Sequence, residues 1–214
     1  ADEYRARMKQ AAGMRNLDIW YAHVEVGALF EQLQATATKK QQAKARANLA
    51  KARTKDSMQA FAKLTHQVDG ERRIIPDPPL IVPIEELFPD MEAAALNEQL
   101  RDVLGKYQRT LQSDRRHLLN QFTLLQIARK VVGVGSVGTR AWILLMEARD
   151  GIQPLFLQAK EAQASVLADY CAPSEYANQG ERVVAGQHLM QAQSDIFLGW
   201  TRVLGPDGVE RDFY

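Results

Sequence analysis

Five prolines fall between residues 76 and 89, at Pro76, Pro78, Pro79, Pro83 and Pro89. Each fixes its own φ, removes a backbone donor and pushes the preceding residue out of the helical region. No long helix can pass through IIPDPPLIVPIEELFPD. The segment 69–90 is therefore expected to be extended, as a linker or a strap lying across a surface. It separates two stretches of different pattern.

Upstream, residues 2–66 contain no proline and are dominated by Ala, Gln, Lys, Arg and Leu, most of them strong helix formers. Leu17, Trp20, Tyr21 and Val24 recur at spacings of three and four, and Leu29 and Leu33 continue at four, which predicts one buried helix face. The stretch KKQQAKARANLAKARTK, residues 39–55, carries seven basic residues and no acid. No aromatic residue interleaves it and alanine fills the gaps, so it reads as a solvated helix face and not as a nucleic-acid patch. Beyond the strap, helix is expected to resume over residues 90–104 and again over 107–120.

From residue 123 the period changes. LLQIARKVV, TRAWILLMEA and PLFLQAK are short apolar runs bounded by turn residues, and they predict three consecutive antiparallel strands. Asp150-Gly151 is a tight-turn pair, because both residues tolerate positive φ. A helix is predicted within PSEYANQGERVVAGQHLMQAQSD, with Ser174 as its N-cap, although Gly180 and Gly186 each cost it about 1 kcal/mol relative to Ala. DIFLGWTRVL, GPDG and VERDFY predict a closing hairpin. The expected organisation is a mostly helical region, 1–122, carrying the proline-rich strap. An α+β region follows at 123–214, built on a five-stranded antiparallel sheet and one helix.

The first turn of that sheet carries the chemistry. RKVVGVGSVGTRAWILLM sets Gly133, Gly135 and Gly138 in G-x-G-x-x-G spacing between two strands. A dinucleotide fold needs such glycines to open a helix whose N-terminus meets the pyrophosphate. A Walker-type loop needs Gly-Lys-Ser/Thr and a following helix; here Thr139 and Arg140 follow. The order strand, glycine loop, strand, strand, helix, strand, strand matches the small lobe of a protein-kinase-like fold. There a glycine-rich hairpin covers the ATP phosphates, a third-strand lysine holds them, and a helix supplies the lysine's carboxylate partner.

On that pattern Gly133, Val134, Gly135, Ser136, Val137 and Gly138 form the candidate phosphate loop, with Arg140 as a further phosphate contact. Lys160 closes the third strand and is the candidate phosphate-holding cation. Strand alternation puts Phe156, Gln158 and Lys160 on one face and Leu155, Leu157 and Ala159 on the other. Glu181 is preferred over Glu175 as the carboxylate partner because it lies deeper in the predicted helix. Glu161 alternates to the opposite strand face and is a poor partner.

Other groups are weaker. His23, His66, His117 and His188 are far apart and form no H-E-x-x-H motif, so no zinc site is expected. Cys171 is the single cysteine; it allows no internal disulfide and has no activating neighbour. Ser136 is followed by a strand, not the helix that a nucleophile elbow requires. Met190, Phe197, Leu198 and Trp200 read as core. A formal net charge of +1 gives no global drive towards nucleic acid or an anionic membrane. The apolar run near AWILLM is too short to span a bilayer. The lone cysteine fits a reducing cytoplasm. The opening residues ADEYRARMKQ hold no signal-peptide core and no initiator Met, so the chain is expected to be a fragment of a longer protein.

RKVVGVGSVGTRAWILLM, PLFLQAKEAQASVL and GERVVAGQHLMQAQSDIFLGW closely resemble an uncharacterised bacterial family, domain of unknown function 2252. The resemblance spans nearly the whole chain and is most specific from Leu118 to Trp200. It implies a kinase-like architecture and a nucleotide role for Gly133, Gly135, Gly138 and Lys160. It further implies ATP and Mg²⁺ in the intact protein, with transfer of phosphate or nucleotide to an unknown acceptor. Such proteins carry a Gly-Asp-x-His-x-x-Asn and an Asn-Asp-Phe-Asp-Glu segment, which look like a catalytic loop and a metal-binding aspartate. Neither occurs in this chain, so catalysis is expected only with the remainder of the longer protein. The chain departs from kinases where Gln158 replaces a small residue two before the lysine, and where Arg140 replaces a valine two after the last loop glycine. A non-catalytic kinase-like scaffold, binding partners through its helical half, is the alternative.

Overall fold

A computed structural model of the protein describes residues 2–23, 25, 27–28, 31, 37–53, 57–131, 133, 138–151, 153–191 and 193–214, with 51–53 and 57–60 described by backbone alone. The chain forms two compact units, residues 1–55 with 188–194, and residues 56–187 with 195–214.

In the first unit the helical run predicted over 2–66 is broken into α1 (Asp2–Ala12), α2 (Asn16–Trp20) and α3 (Lys39–Arg53). α1 stops at Gly13, whose N–H bonds back to the Gln10 carbonyl. Neither α1 nor α2 buries a residue. Leu17, Trp20 and Tyr21 are exposed, so the first part of the predicted stripe packs against nothing within the described residues. Val24, Leu29 and Leu33 lie outside them. None of residues 39–50 on α3 is buried.

The second unit starts with α4 (Ser57–Leu64), followed by β1 (Thr65–Val68) and β2 (Glu71–Ile74). Asp69 and Gly70 between these strands take φ of 51° and 82°, the left-handed pair that a two-residue hairpin turn needs. Next come β3 (Ile81–Pro83), α5 (Ile84–Leu87), α6 (Ala93–Thr110) and α7 (Ser113–Leu119). The remaining elements are β4 (Phe122–Lys130), β5 (Ala141–Ala148), β6 (Pro154–Ala162), α8 (Gln179–Met190), β7 (Thr201–Leu204) and β8 (Glu210–Phe213).

The main sheet has six strands in the order β3-β4-β5-β6-β8-β7, with every neighbouring pair antiparallel. The expectation of five strands fails at one edge. The proline strap does not only cross a surface: its residues Ile81–Pro83 pair with Ala128–Lys130 as an outer strand. An edge position tolerates Pro83, because a missing N–H there breaks no ladder. The three central strands and the closing hairpin stand where the apolar runs and their turn residues put them. The fold is mixed α+β with antiparallel sheets.

Both faces of the sheet are covered. On one face Phe61 and Ile74 pack with Ile81, Ala128, Ile143 and Leu145, and Phe156 joins them. On the other, Ile84, Leu96 and Ile127 pack with Trp142 and Leu144; Leu111, Leu119 and Met146 pack with Leu155 and Leu157. Full burial of each large aliphatic side chain stabilises by about 1.5–3 kcal/mol. The β4–β5 register shifts between Leu124 and Gln126. Such a shift re-aims side chains, and Gln126 is buried there with its Oε1 accepting the Ile74 N–H at 2.7 Å and its Nε2 donating to Glu85 at 3.3 Å. One amide thus ties the β1–β2 hairpin to the sheet.

Candidate functional site

The connection between β4 and β5, residues 131–140, carries two glycines with left-handed backbone. Gly133 has φ of 63° and Gly138 of 86°, conformations that side chains with a Cβ resist. Val134, Gly135, Ser136 and Val137 lie outside the described residues.

Lys160 sits in β6 opposite Ala141 of β5, the third residue after Gly138. On its other side it exchanges both backbone bonds with Tyr214, at 2.9 and 3.0 Å. Its neighbours confirm the alternation. Phe156 packs on the Ile143/Leu145 face and Leu155 and Leu157 on the opposite one. The Lys160 side chain is half-buried. Among the described residues its ammonium makes no hydrogen bond or ion pair.

Glu181 does not reach it: no Lys160–Glu181 ion pair forms. The helix start also differs from the expected one. α8 begins at Gln179, not near Ser174, and its first turn is closed by Asn178, whose Oδ1 accepts the Glu181 N–H at 3.1 Å. Ser174 instead caps a local turn, accepting the Tyr176 N–H at 3.2 Å. Glu181 therefore lies in the first helical turn, where a carboxylate favours the helix dipole, and not deep in the helix. Glu175 precedes the helix altogether.

Arg140 is held by carboxylates. Its Nη1 meets Glu161 Oε2 at 3.2 Å, and its backbone N–H donates to the same oxygen at 3.0 Å. Its second Nη lies 3.8 Å from Asp207. Glu161, a poor partner for Lys160, is thus the partner of Arg140. Asp207 also receives both Nη atoms of Arg211, at 2.8 and 2.6 Å. That guanidinium holds its carboxyl well below the usual range.

The densest polar contact was not anticipated. The buried Asp212 accepts from Arg202 Nε at 2.6 Å and Nη2 at 3.1 Å, from Asn178 Nδ2 at 3.0 Å and from the Gln179 N–H at 2.7 Å. Burial pushes its pKa up, but the bonds from Arg202 and Gln179 outweigh it and hold the carboxyl below its ordinary value. The signal lay in the predicted hairpin: a turn at GPDG sets residue 202 opposite residue 212. These charges are mutually satisfied and organise structure more than they invite a ligand.

A cavity of about 360 Å³ lies beside β6. Leu100, Val103, Tyr107, Leu144, Leu157 and Trp200 give it mainly apolar walls, and Lys160 borders it. The Tyr107 hydroxyl donates to the Phe197 carbonyl. Burial, aided by Asp195, pushes that phenol far above its ordinary pKa. Phe197 packs into the core, Leu198 and Trp200 are half-buried, and Met190, expected in the core, is exposed. Cys171 is exposed. Among the described residues no three His, Cys, Asp or Glu side chains gather as metal ligands. No described helix is long and apolar enough to cross a membrane.

A protein-family model described as "Uncharacterized protein conserved in bacteria (DUF2252)" matches residues 1–214. No curated protein and no solved structure matches the chain.

Proposed function

The chain belongs to the uncharacterised bacterial family DUF2252, and from that premise we propose that its larger unit is the nucleotide-binding lobe of a kinase-like phosphotransferase. It would take ATP with Mg²⁺ and serve transfer to an acceptor of unknown identity. The observation that carries this reading is the position of Lys160: an ammonium without a partner among the described residues, one strand away from the end of a glycine turn. Supporting it, the elements run strand, glycine turn, strand, strand, helix, strand, strand, and β8 inserts beside the lysine strand. Phosphoryl transfer asks the protein mainly for positioning and charge. A backbone that approaches closely at glycines and a cation held free for phosphate meet that demand. Mg²⁺ commonly binds through one or two carboxylates and the phosphates themselves. In this reading Glu181 must turn towards Lys160, and Arg140 exchange part of its carboxylate contact for phosphate, when nucleotide binds.

A second reading, a non-catalytic kinase-like scaffold, is favoured by two observations: Arg140 already has two carboxylate partners, and Lys160 lacks its glutamate. Calorimetric titration of Mg-ATP into the protein and into Lys160→Ala separates them. Saturable binding weakened about tenfold in the variant, about 1.4 kcal/mol, supports the nucleotide site. No heat, or equal binding by both proteins, leaves the scaffold.

A further inference from the structure

Arg140 closes the connection between β4 and β5, one residue before β5 starts. Three bonds fasten it to Glu161 of β6. Its carbonyl accepts the Glu161 N–H at 2.8 Å. Its own N–H and its Nη1 both donate to Glu161 Oε2, at 3.0 and 3.2 Å. The two acids beside Arg140 hold it unequally. The Glu161 side chain is buried, 8% exposed, and breaking such a pair strands a buried charge. Asp207 is 46% exposed and lies 3.8 Å from Arg140, beyond hydrogen-bond reach. It is held instead by both Nη atoms of Arg211 and by the Val209 N–H at 3.2 Å. An exposed pair at such a distance is weak. Release is therefore ordered: Asp207 yields first and Glu161 stays.

Arg140 also borders a second cavity, of about 550 Å³, walled further by Gln163, Arg202 and Arg211. The charge nearest solvent there is mainly cationic. Arg140 and Arg202 are 43% and 45% exposed, whereas their carboxylates, Glu161 and Asp212, are each 8% exposed. Among the described residues of the wall, Glu210 is the exposed acid. Lys160 borders the first cavity and not this one, and strand alternation sets Glu161 on the face opposite Lys160.

We propose that this second cavity binds a phosphoryl group on Arg140, at a site separate from Lys160. Glu161 is its positioning residue, and Asp207 is a built-in competitor that the phosphoryl group displaces. At neutral pH a phosphate monoester carries a charge of about −1.5 to −2 and offers several strong acceptor oxygens. Asp207 offers a single charge at a distance too long for a hydrogen bond. A guanidinium meets phosphate through parallel N–H bonds, and the Nη2 that faces Asp207 supplies the second of them. Displacement leaves Asp207 to Arg211 alone, so occupancy beside the glycine-bearing connection is felt in the β7–β8 turn. The phosphoryl group belongs either to the nucleotide of the proposed function or to a second phosphate compound; the chemistry at Arg140 is the same. The inference deepens the proposed role of Arg140 and does not depend on nucleotide at Lys160.

The test is a titration of inorganic phosphate into the full protein, followed by amide NMR, with chloride at matched ionic strength as the control. The Arg140 amide reports the guanidinium arm, and the Val209 amide, bonded to Asp207, reports the competitor. Both are expected to shift along one saturating phosphate curve and to stay in place with chloride. Asp207→Asn tightens phosphate about threefold, the size a half-exposed pair allows. Glu161→Gln keeps an oxygen for the Arg140 N–H. Glu161→Ala keeps none, and binds phosphate about tenfold more weakly than Glu161→Gln because the arm must be ordered on binding. Should Glu161→Ala fail to fold, Arg140→Lys keeps the charge without the fork and weakens phosphate about tenfold. Mg-ATP then names the source. If it moves the Arg140 amide at lower concentration than phosphate does, the group is the nucleotide's. If it leaves that amide in place while phosphate saturates, the site serves a second phosphate compound, and the nucleotide reading of Arg140 fails while this inference stands. The proposal is overturned if phosphate acts no differently from chloride, if Asp207→Asn does not tighten binding, or if Glu161→Gln and Glu161→Ala bind equally.

Discussion

Arg202 and Asp212 stand opposite one another in the β7–β8 ladder and close a two-pronged ion pair at 2.6 and 3.1 Å. The same carboxylate accepts the Gln179 amide at the start of α8. One side chain therefore joins the terminal hairpin to the helix that precedes it.

That carboxyl is held below its ordinary pKa, so the folded state binds its proton less readily than the unfolded chain. Its contribution to stability is fully present above about pH 5 and fades as pH falls through and below the ordinary value near 3.9. Asp212→Asn is expected to cost about 2 kcal/mol at neutral pH and to flatten the acid limb of the melting curve. Thermal melts of both proteins between pH 3 and 7 check this; parallel curves would remove Asp212 from the account.

Two glycines in one helix should respond in opposite directions. A Cβ at Gly180 would stand against the backbone carbonyl of Phe213, so Gly180→Ala must push the helix off β8. Gly186 has nothing near its missing Cβ, so Gly186→Ala gains helix propensity, about 1 kcal/mol. Denaturant midpoints are expected to fall for the first and rise for the second.

Gln126→Leu keeps the volume of a buried side chain and removes the acceptor of the Ile74 N–H. The expected loss is about 1–3 kcal/mol, the cost of a buried donor left unmatched. The Ile74 amide should lose its hydrogen-exchange protection selectively, while amides in the β5–β6 ladder keep theirs.

Lys160 and Arg140 are distinguishable by stability alone. Lys160→Ala removes no pair among the described residues and should shift stability by no more than about 0.5 kcal/mol. Arg140→Ala strands Glu161, whose side chain is only 8% exposed, and should cost about 1–2 kcal/mol. Equal melting of the two variants would contradict this assignment of partners.

The central strands were legible because LLQIARKVV, TRAWILLMEA and PLFLQAK are short apolar runs bounded by turn residues. The sixth strand was not, because Ile81–Pro83 is too short to show a period and its prolines argue for loop. Only the partner strand β4 makes it a strand. The exposed Leu17, Trp20 and Tyr21 show the converse, a helical spacing with no surface to receive it among the described residues. At the candidate site, Lys160 stands out in the sequence by its place at the end of an apolar run. The depth expected for Glu181 was not legible, because the cap is Asn178, four residues beyond Ser174. A helix start moved by that distance turns a mid-helix glutamate into a first-turn one.

The β7–β8 hairpin joins β6 at Ala162, Glu161 and Lys160, and Asp212 clasps it to the start of α8. Lys160 sits on that seam, so the backbone of the chain's candidate phosphate cation is set by two neighbours at once, Ala141 on one side and Tyr214 on the other.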